Sequence, residues 1–186
     1  MKPPTPILVC FVASLVLLGQ PQAPVNPEAA IQQDFQKRIG DYLKLRKTIE
    51  GPRLKPTASV EKIEHHEKEF AHKIREARRS ARQGDIFSPE ISSEFRRLIA
   101  LAMQGPNAGR VEKSLRSAEP EVRAKVRVEV NHKYPPSVPL QSTPPTLLVN
   151  LPQLPPELEY RVVGHYLALM DSKANLILDY IPNAIP

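Results

Sequence analysis

The sequence predicts an α+β fold, in which amphipathic helices are followed by a small antiparallel β-meander. Two patterns support this prediction. Between residues 27 and 118, apolar residues recur every three or four positions, which is typical of helices that bury one face. In the last 29 residues, apolar and polar side chains alternate around short turns, which is typical of paired strands. We therefore divide the chain into residues 1–23, a helical region 27–118, and a region 125–186 with a strand, a proline-rich connector and the meander.

The first 23 residues have the features of a cleavable secretory signal peptide. Lys2 precedes an apolar run from Ile7 to Gly19, which at about a dozen residues is shorter than the ~20 that a membrane-spanning helix needs. The only cysteine, Cys10, lies inside that run, so the mature chain is predicted to have no disulfide and no thiol nucleophile. An uncleaved N-terminal anchor is the alternative. The segment predicts an exported protein, periplasmic or secreted, without a transmembrane span in its mature part.

Four helices are predicted in the helical region. They extend from Pro27 to Glu50, from near Thr57 or Ser59 to about Gln83, from Ser88 to about Gly105, and over 109–117. The third has the clearest start, because a serine can cap a helix and the following Pro89 suits its first turn. The predicted apolar stripe of the second helix consists of Val60, Ile63, Phe70, Ile74, Ala77 and Ala81.

A different pattern begins at Lys125. The stretch KVRVEVNH alternates valines with polar residues, which predicts a half-buried strand over 125–131. Residues 134–156 then contain eight prolines in 23 positions. Because prolines lack the backbone donor, we expect an extended connector there, without helix or central strand. The connector either wraps the body of the protein or serves as a ligand for a proline-reading partner.

The last 29 residues predict a three-stranded meander. A two-residue turn at Gly164-His165 pairs Val163 with Tyr166, DSKAN makes the next turn, and LILDYI supplies the third strand. One face of the hairpin is predicted to carry Leu158, Tyr160, Val162, Leu167 and Leu169, and the other Glu159, Arg161, Val163, Tyr166, Ala168 and Met170. Asp171 and Asp179 flank the second turn, where Asp171 is interpreted as a turn-forming residue.

The net charge of +6 is unevenly distributed. Residues 31–133 carry 23 Lys and Arg against 15 Asp and Glu, a balance of +8, and residues 134–186 carry 2 against 4, a balance of −2. Arg75, Arg79 and Arg82 are predicted to line one side of the second helix, with Arg78 beside them. These guanidinium groups are candidate contacts for phosphate or carboxylate groups, and a merely solvated basic face is the alternative. No aromatic residue accompanies them to stack on bases, so no specific nucleic acid is expected.

The stretch EHHEKEFAH, residues 64–72, suggests a metal site. On a helix, His66 is predicted to lie on the apolar flank, while His65 and His72 face solvent. The latter two are about 10 Å apart along the axis at 1.5 Å per residue, too far to share one ion. The spacing of Glu69 and His72 occurs in di-iron bundles, but a second such pair is missing. The interpretation is therefore an ordinary helix surface, and the alternative is a weak surface metal site.

Two stretches resemble proteins of a known kind. RQGDIFSPEISSEFRRLI (82–99) and LPPELEYRVVGHYLALMDSKANLILDYIPNAI (154–185) are similar to a family of small exported bacterial proteins whose function is unassigned. The C-terminal hairpin also resembles that of periplasmic nickel/cobalt-homeostasis proteins, and no metal ligand carries over from this likeness. The resemblance implies export and this fold, and it adds no chemistry.

The sequence thus predicts an exported, non-enzymatic binding or structural protein of the bacterial cell envelope. The chain contains no glycine-rich phosphate loop and no Gly-x-Ser-x-Gly motif, and no pair of nucleophile and base can be nominated. No cofactor is expected. The expected partner is an anionic envelope component or another envelope protein. The alternative function is that of a periplasmic metal-homeostasis accessory protein that uses His65, Glu69 and His72.

Overall fold

The computed structural model describes residues 26–51, 59–106, 108–117, 127–135 and 143–185. The predicted α+β class is confirmed, because helices are followed by a three-stranded antiparallel sheet. The helices are α1 (Pro27–Glu50), α2 (Val60–Ala77), α3 (Pro89–Ala102), α4 (Ala108–Ser117) and α5 (Pro145–Leu148); the strands are β1 (Leu158–Val163), β2 (Tyr166–Asp171) and β3 (Leu176–Ile181). The signal-peptide prediction for residues 1–23 lies outside the described residues. Within these ranges, no helix combines the length and hydropathy that crossing a membrane requires.

Side-chain caps fix the starts of the first three helices. Asn26 accepts a hydrogen bond from the N–H of Glu28, Ser59 from that of Lys62, and Ser88 from that of Ile91. Each cap satisfies one of the backbone donors that the first turn of a helix leaves free. The predicted starts of the first and third helices are confirmed.

The second helix is shorter than predicted and buries less of its stripe. It ends at Ala77 instead of about Gln83. Phe70, Ala71 and Ile74 are buried, whereas Val60 and Ile63 are 62% and 40% exposed. The helical period alone therefore overestimated the packed face, because only the C-terminal half of α2 lies against the core.

The hairpin register is confirmed. Val163 pairs with Tyr166 across the Gly164-His165 turn, and the sheet order is β1-β2-β3. The face predicted to carry Leu158, Tyr160, Val162, Leu167 and Leu169 belongs to the main core, below α1 and α3. Four aromatic rings pack together in this core. The centroids of Phe35, Phe87 and Phe95 are 5.1–5.8 Å apart, and those of Phe95 and Tyr160 are 5.9 Å apart.

The predicted strand at 125–131 is wrong where the structure describes it. Residues 127–129 are irregular and a turn follows at 130–131, where Asn131 has a φ of 64°. The segment instead lies along the open edge of β3: Asn131 donates to the carbonyl of Ile177, and the N–H of Ile177 donates to that of His132. Tyr134 then packs on the outer face of the sheet with Val163, Ala168, Met170 and Ile177. The valine alternation thus reflects a covering segment, not a long strand.

The proline-rich connector contains one turn of helix, which corrects the expectation that it has none. Helix α5 begins at Pro145, in the first turn, where a missing N–H costs nothing. Its Leu147 is fully buried in the main core. The part of the connector at 136–142 lies outside the described residues.

A bulge in β3 was not predicted. Leu169 pairs with Asp179 and Met170 with Ile177, so Leu178 has no opposite residue. Strict alternation would place Leu178 and Asp179 on opposite faces of the sheet. Leu178 lies in the main core with Leu176. Because of the bulge, Asp179 pairs with Leu169, which also faces the main core, and its carboxylate reaches the loop before α3.

Candidate functional site

The histidine cluster has the predicted exposure. His65 and His72 are exposed and His66 is half-buried. Glu69 forms an ion pair with Lys73 at 2.7 Å, and that hydrogen bond lowers the pKa of the Glu69 carboxyl. His65, His66 and Glu69 line a shallow surface depression with Glu61 and Lys62. Across the parts of the chain that the structure describes, no group of three or more metal-ligating side chains is placed to hold an ion.

The metal-homeostasis alternative stays a hypothesis with a direct test. It predicts that the protein binds nickel, cobalt or zinc with micromolar affinity in calorimetry, and that replacing His65 and His72 by alanine removes the binding. Because Lys73 already pairs with the Glu69 carboxylate, we expect this carboxylate not to bind the metal. At most two histidine nitrogens on this helix then remain as ligands. A titration of the unaltered protein without heat would exclude the hypothesis.

The three candidate arginines lie at and beyond the end of α2, not along one side of a helix. Arg75 is half-buried in the last turn of α2, and Arg79 and Arg82 are exposed in the turn that follows. The prediction that a single helix carries all three is wrong, because α2 ends at Ala77. We call Arg75, Arg79 and Arg82 the arginine cluster.

The arginine cluster has no internal counter-ion. The side chains of these three residues make neither an ion pair nor a hydrogen bond within the parts of the chain that the structure describes. Several other exposed or half-exposed arginines are paired, such as Arg38 with Asp34 at 2.9 Å and Arg97 with Glu94 at 2.6 Å. An unpaired guanidinium can take a carboxylate or phosphate in its fork without first breaking an internal bond.

Arg78 is buried, contrary to its predicted place beside the other arginines. Its guanidinium lies 5.4 Å over the ring of Tyr42 and donates to the carbonyl of Leu178 at 2.9 Å. It also donates to the side chain of Asn131, whose amide donates back to the Arg78 carbonyl at 2.7 Å. Burial lowers the pKa of Arg78. These contacts stop α2 at this position and hold the arginine cluster against β3.

The loop after the cluster is held by one buried carboxylate. Asp179 is fully buried and accepts hydrogen bonds from the backbone N–H groups of Gly84, Ile86 and Phe87, at 2.8–3.0 Å. Gly84 adopts a φ of 96°, a conformation that residues with side chains rarely adopt. Convergent N–H groups of this kind form a nest for an anion, and here the anion belongs to the chain itself.

A second buried carboxylate joins α1 to the sheet. Asp171 is fully buried and accepts from the Tyr42 hydroxyl at 2.7 Å and from Arg46 Nε at 2.8 Å. It also accepts from the N–H of Ala174, which confirms its predicted turn-forming role. Burial, and then the charge of Asp171, raise the pKa of the Tyr42 hydroxyl above its usual range. Asp171 is therefore an anchor between distant elements as well as a turn residue.

The Asp171 contacts continue through a chain of charged side chains. Glu50 accepts from Arg46 and from Lys173, both at 2.9 Å, and the hydrogen bond from Lys173 lowers the pKa of Glu50. The Arg46 and Lys173 cations both lie over the ring of Phe70, at 5.2 and 5.1 Å. We call Tyr42, Arg46, Glu50, Asp171 and Lys173 the polar anchor. All its members have partners inside the protein, so it is a structural element and not a binding site.

The sequence contained a signal for both buried carboxylates. Asp171 ends the apolar strand YLALMD, and Asp179 interrupts the apolar run LILDYI. A carboxylate inside such a run must find donors when the run is buried. Which distant donors each carboxylate finds was beyond sequence reasoning, because these donors lie between 92 and 129 positions away.

Comparison of the chain with family models, with curated proteins and with solved structures finds no match. The resemblance to small exported bacterial proteins therefore stays a prediction. Among the residues that the structure describes, the arginine cluster is a group of guanidinium groups for which the protein itself provides no counter-ion.

Proposed function

We propose that this is an exported, non-enzymatic binding protein of the bacterial cell envelope, which holds an anionic partner through Arg75, Arg79 and Arg82. The observation that carries the proposal is the absence of internal counter-ions for these three side chains within the described residues. The basic balance of residues 31–133 and the predicted signal peptide are in line with it.

The support beneath the cluster favours binding. Arg78 and Asp179 fix the backbone on both sides of Arg79 and Arg82 to β3. A rigid backbone reduces the conformational entropy that is lost when a partner is bound. The negative end of the α2 dipole also favours cations at this position, which explains why the exposed arginines are tolerated without partners.

The test is a charge reversal with a control of equal net charge. Replacing Arg75, Arg79 and Arg82 by glutamate is expected to weaken adsorption to vesicles that contain anionic lipid by about a hundredfold at low salt, since each cation near such a surface contributes about 1 kcal/mol. The control replaces Lys37, Lys44 and Lys47, which are exposed on α1. Both variants change the net charge by the same amount, and sedimentation with vesicles measures the difference.

Three results decide the proposal. Weak adsorption of the arginine variant alone, with wild-type adsorption that falls as salt rises, supports it. Equal losses in both variants would mean that only net charge matters, and unchanged adsorption in the arginine variant would rule out the cluster as the contact. Export is tested separately, by locating the tagged full-length chain in periplasmic, culture-medium and cytoplasmic fractions.

A further inference from the structure

Two tyrosines on the outer face of the sheet are open to solvent. Tyr166 is 37% exposed at the start of β2, and Tyr180 in β3 is half-buried. Their rings meet edge to face, with centroids 5.7 Å apart and planes at 79°. The hydroxyls of Tyr42 and Tyr160 donate to internal acceptors, whereas those of Tyr166 and Tyr180 have no acceptor among the described residues. Two rings and two hydroxyls are thus available to a ligand.

The backbone of Tyr180 adjoins the turn that carries Arg79 and Arg82. The side-chain amide of Gln83 donates to the backbone carbonyl of Tyr180 at 3.3 Å, so the residue after Arg82 touches β3 at the tyrosine. Arg78 donates to the carbonyl of Leu178 on the same strand. The nearby carboxylate of Glu129 forms an ion pair with Arg127, and His132 Nδ1 lies 3.3 Å from it. The edge of β3 therefore separates a cationic turn from an aromatic pair.

We propose that the tyrosine pair and the arginine cluster form one surface that binds a polysaccharide with carboxylate groups. The inference rests on the proposed anion-binding function and names the class of its partner. The face of an aromatic ring carries negative charge density and attracts the positive C–H groups of a sugar ring, while a free tyrosine hydroxyl can bond to sugar hydroxyls. The guanidinium groups match carboxylates.

The geometry favours a sugar over the other anionic polymers. A lipid surface needs only cations, and the tyrosines would add nothing specific to it. Proteins that bind single-stranded nucleic acid stack successive bases on the open faces of several aromatic rings. At 79° the two rings cannot both offer such a face, because the edge of one ring lies against the face of the other. One open face accommodates a single ring of a polymer whose charges lie on the neighbouring units.

The experiment measures binding to four probes: polygalacturonate, neutral dextran, oligothymidylate and phosphatidylglycerol vesicles. The full mature chain is compared with Tyr166→Ala, Tyr166→Phe and Val149→Ala, the last removing a side chain that is 78% exposed elsewhere. We expect Tyr166→Ala to bind polygalacturonate about fivefold to tenfold more weakly. Tyr166→Phe is expected to retain most of the binding, Val149→Ala all of it, and vesicle adsorption is expected to be the same in all variants.

Several outcomes would overturn the inference. The first is that the unaltered protein binds dextran as tightly as polygalacturonate. The second is that Tyr166→Ala binds polygalacturonate with unchanged affinity. The third is that Tyr166→Ala loses more affinity for oligothymidylate or for vesicles than for polygalacturonate. The second and third of these outcomes leave the arginine contact intact. By contrast, a charge reversal of Arg75, Arg79 and Arg82 that affects no probe would contradict the proposed function itself, so the two failures are distinguishable.

Discussion

Replacing Asp171 by alanine is expected to lower the free energy of unfolding by about 3–5 kcal/mol, the usual effect of removing one partner of a buried ion pair. The substitution leaves the Tyr42 hydroxyl and Arg46 Nε without their acceptor. The Arg46 side chain is only 8% exposed, so water cannot replace the lost carboxylate at little cost. Unfolding in urea, followed by circular dichroism, measures the change.

A control on α1 separates burial from charge. Asp41 pairs with Lys44 at 3.0 Å, but both side chains are more than half exposed. Asp41→Ala is therefore expected to change the unfolding free energy by less than about 1 kcal/mol. A double replacement, Asp171→Leu with Arg46→Met, is expected to recover much of the loss, since it leaves no unpaired buried charge. Equal effects of Asp171→Ala and Asp41→Ala would show that the polar anchor does not stabilise the fold.

Replacing Asp179 by alanine is expected to lower the free energy of unfolding by about 3 kcal/mol or more. Three backbone N–H groups, of Gly84, Ile86 and Phe87, lose their acceptor, and each unsatisfied buried donor costs about 1–3 kcal/mol in a sum that is not fully additive. Hydrogen exchange of these three amides is expected to accelerate more than that of the strands. Asp179→Asn keeps one acceptor oxygen and is expected to lose less.

The convergent N–H groups around Asp179 predict that a small added anion can restore part of the stability lost in Asp179→Ala. Because the substitution leaves space where the carboxylate was, formate at high concentration is expected to raise the stability of this variant more than it raises the stability of the unaltered protein. Asp85→Ala is the control, because Asp85 lies in the same loop but is exposed. If amide exchange at 84–87 were unchanged in Asp179→Ala, Asp179 would not be what holds the loop.

Local patterns were sufficient to predict the hairpin. The Gly164-His165 turn fixes the register of β1 and β2, and the two-residue period then assigns Leu167 to the main core and Ala168 to the outer face. The same period cannot place Asp179, because the bulge at Leu178 changes the period within one strand. A bulge depends on contacts with another element, here the loop before α3, and no local residue pattern announced it.

At the candidate site, too, local patterns predicted some features and contacts between distant residues determined the others. The exposure of Arg79 and Arg82 followed from sequence, but the burial of Arg78 just before them did not. The helical period placed Arg78 on the solvated side, and its real position depends on Tyr42 and Asn131, which lie 36 positions before it and 53 after it. Likewise, the proximity of Tyr180 to the cluster arises from a contact of Gln83 that spans 97 positions.

The two buried aspartates also determine the order in which the fold can be completed. Tyr42 meets Asp171 across 129 positions, and Gly84 meets Asp179 across 95. On a growing chain, α1, α2 and α3 leave the ribosome long before these partners exist, so their inner faces stay without a sheet until residues 158–181 are made. Closing such long loops slows folding far more than forming helices does. Pairing of the three-stranded sheet with the helices is thus the step that converts a set of exposed helices into a stable domain.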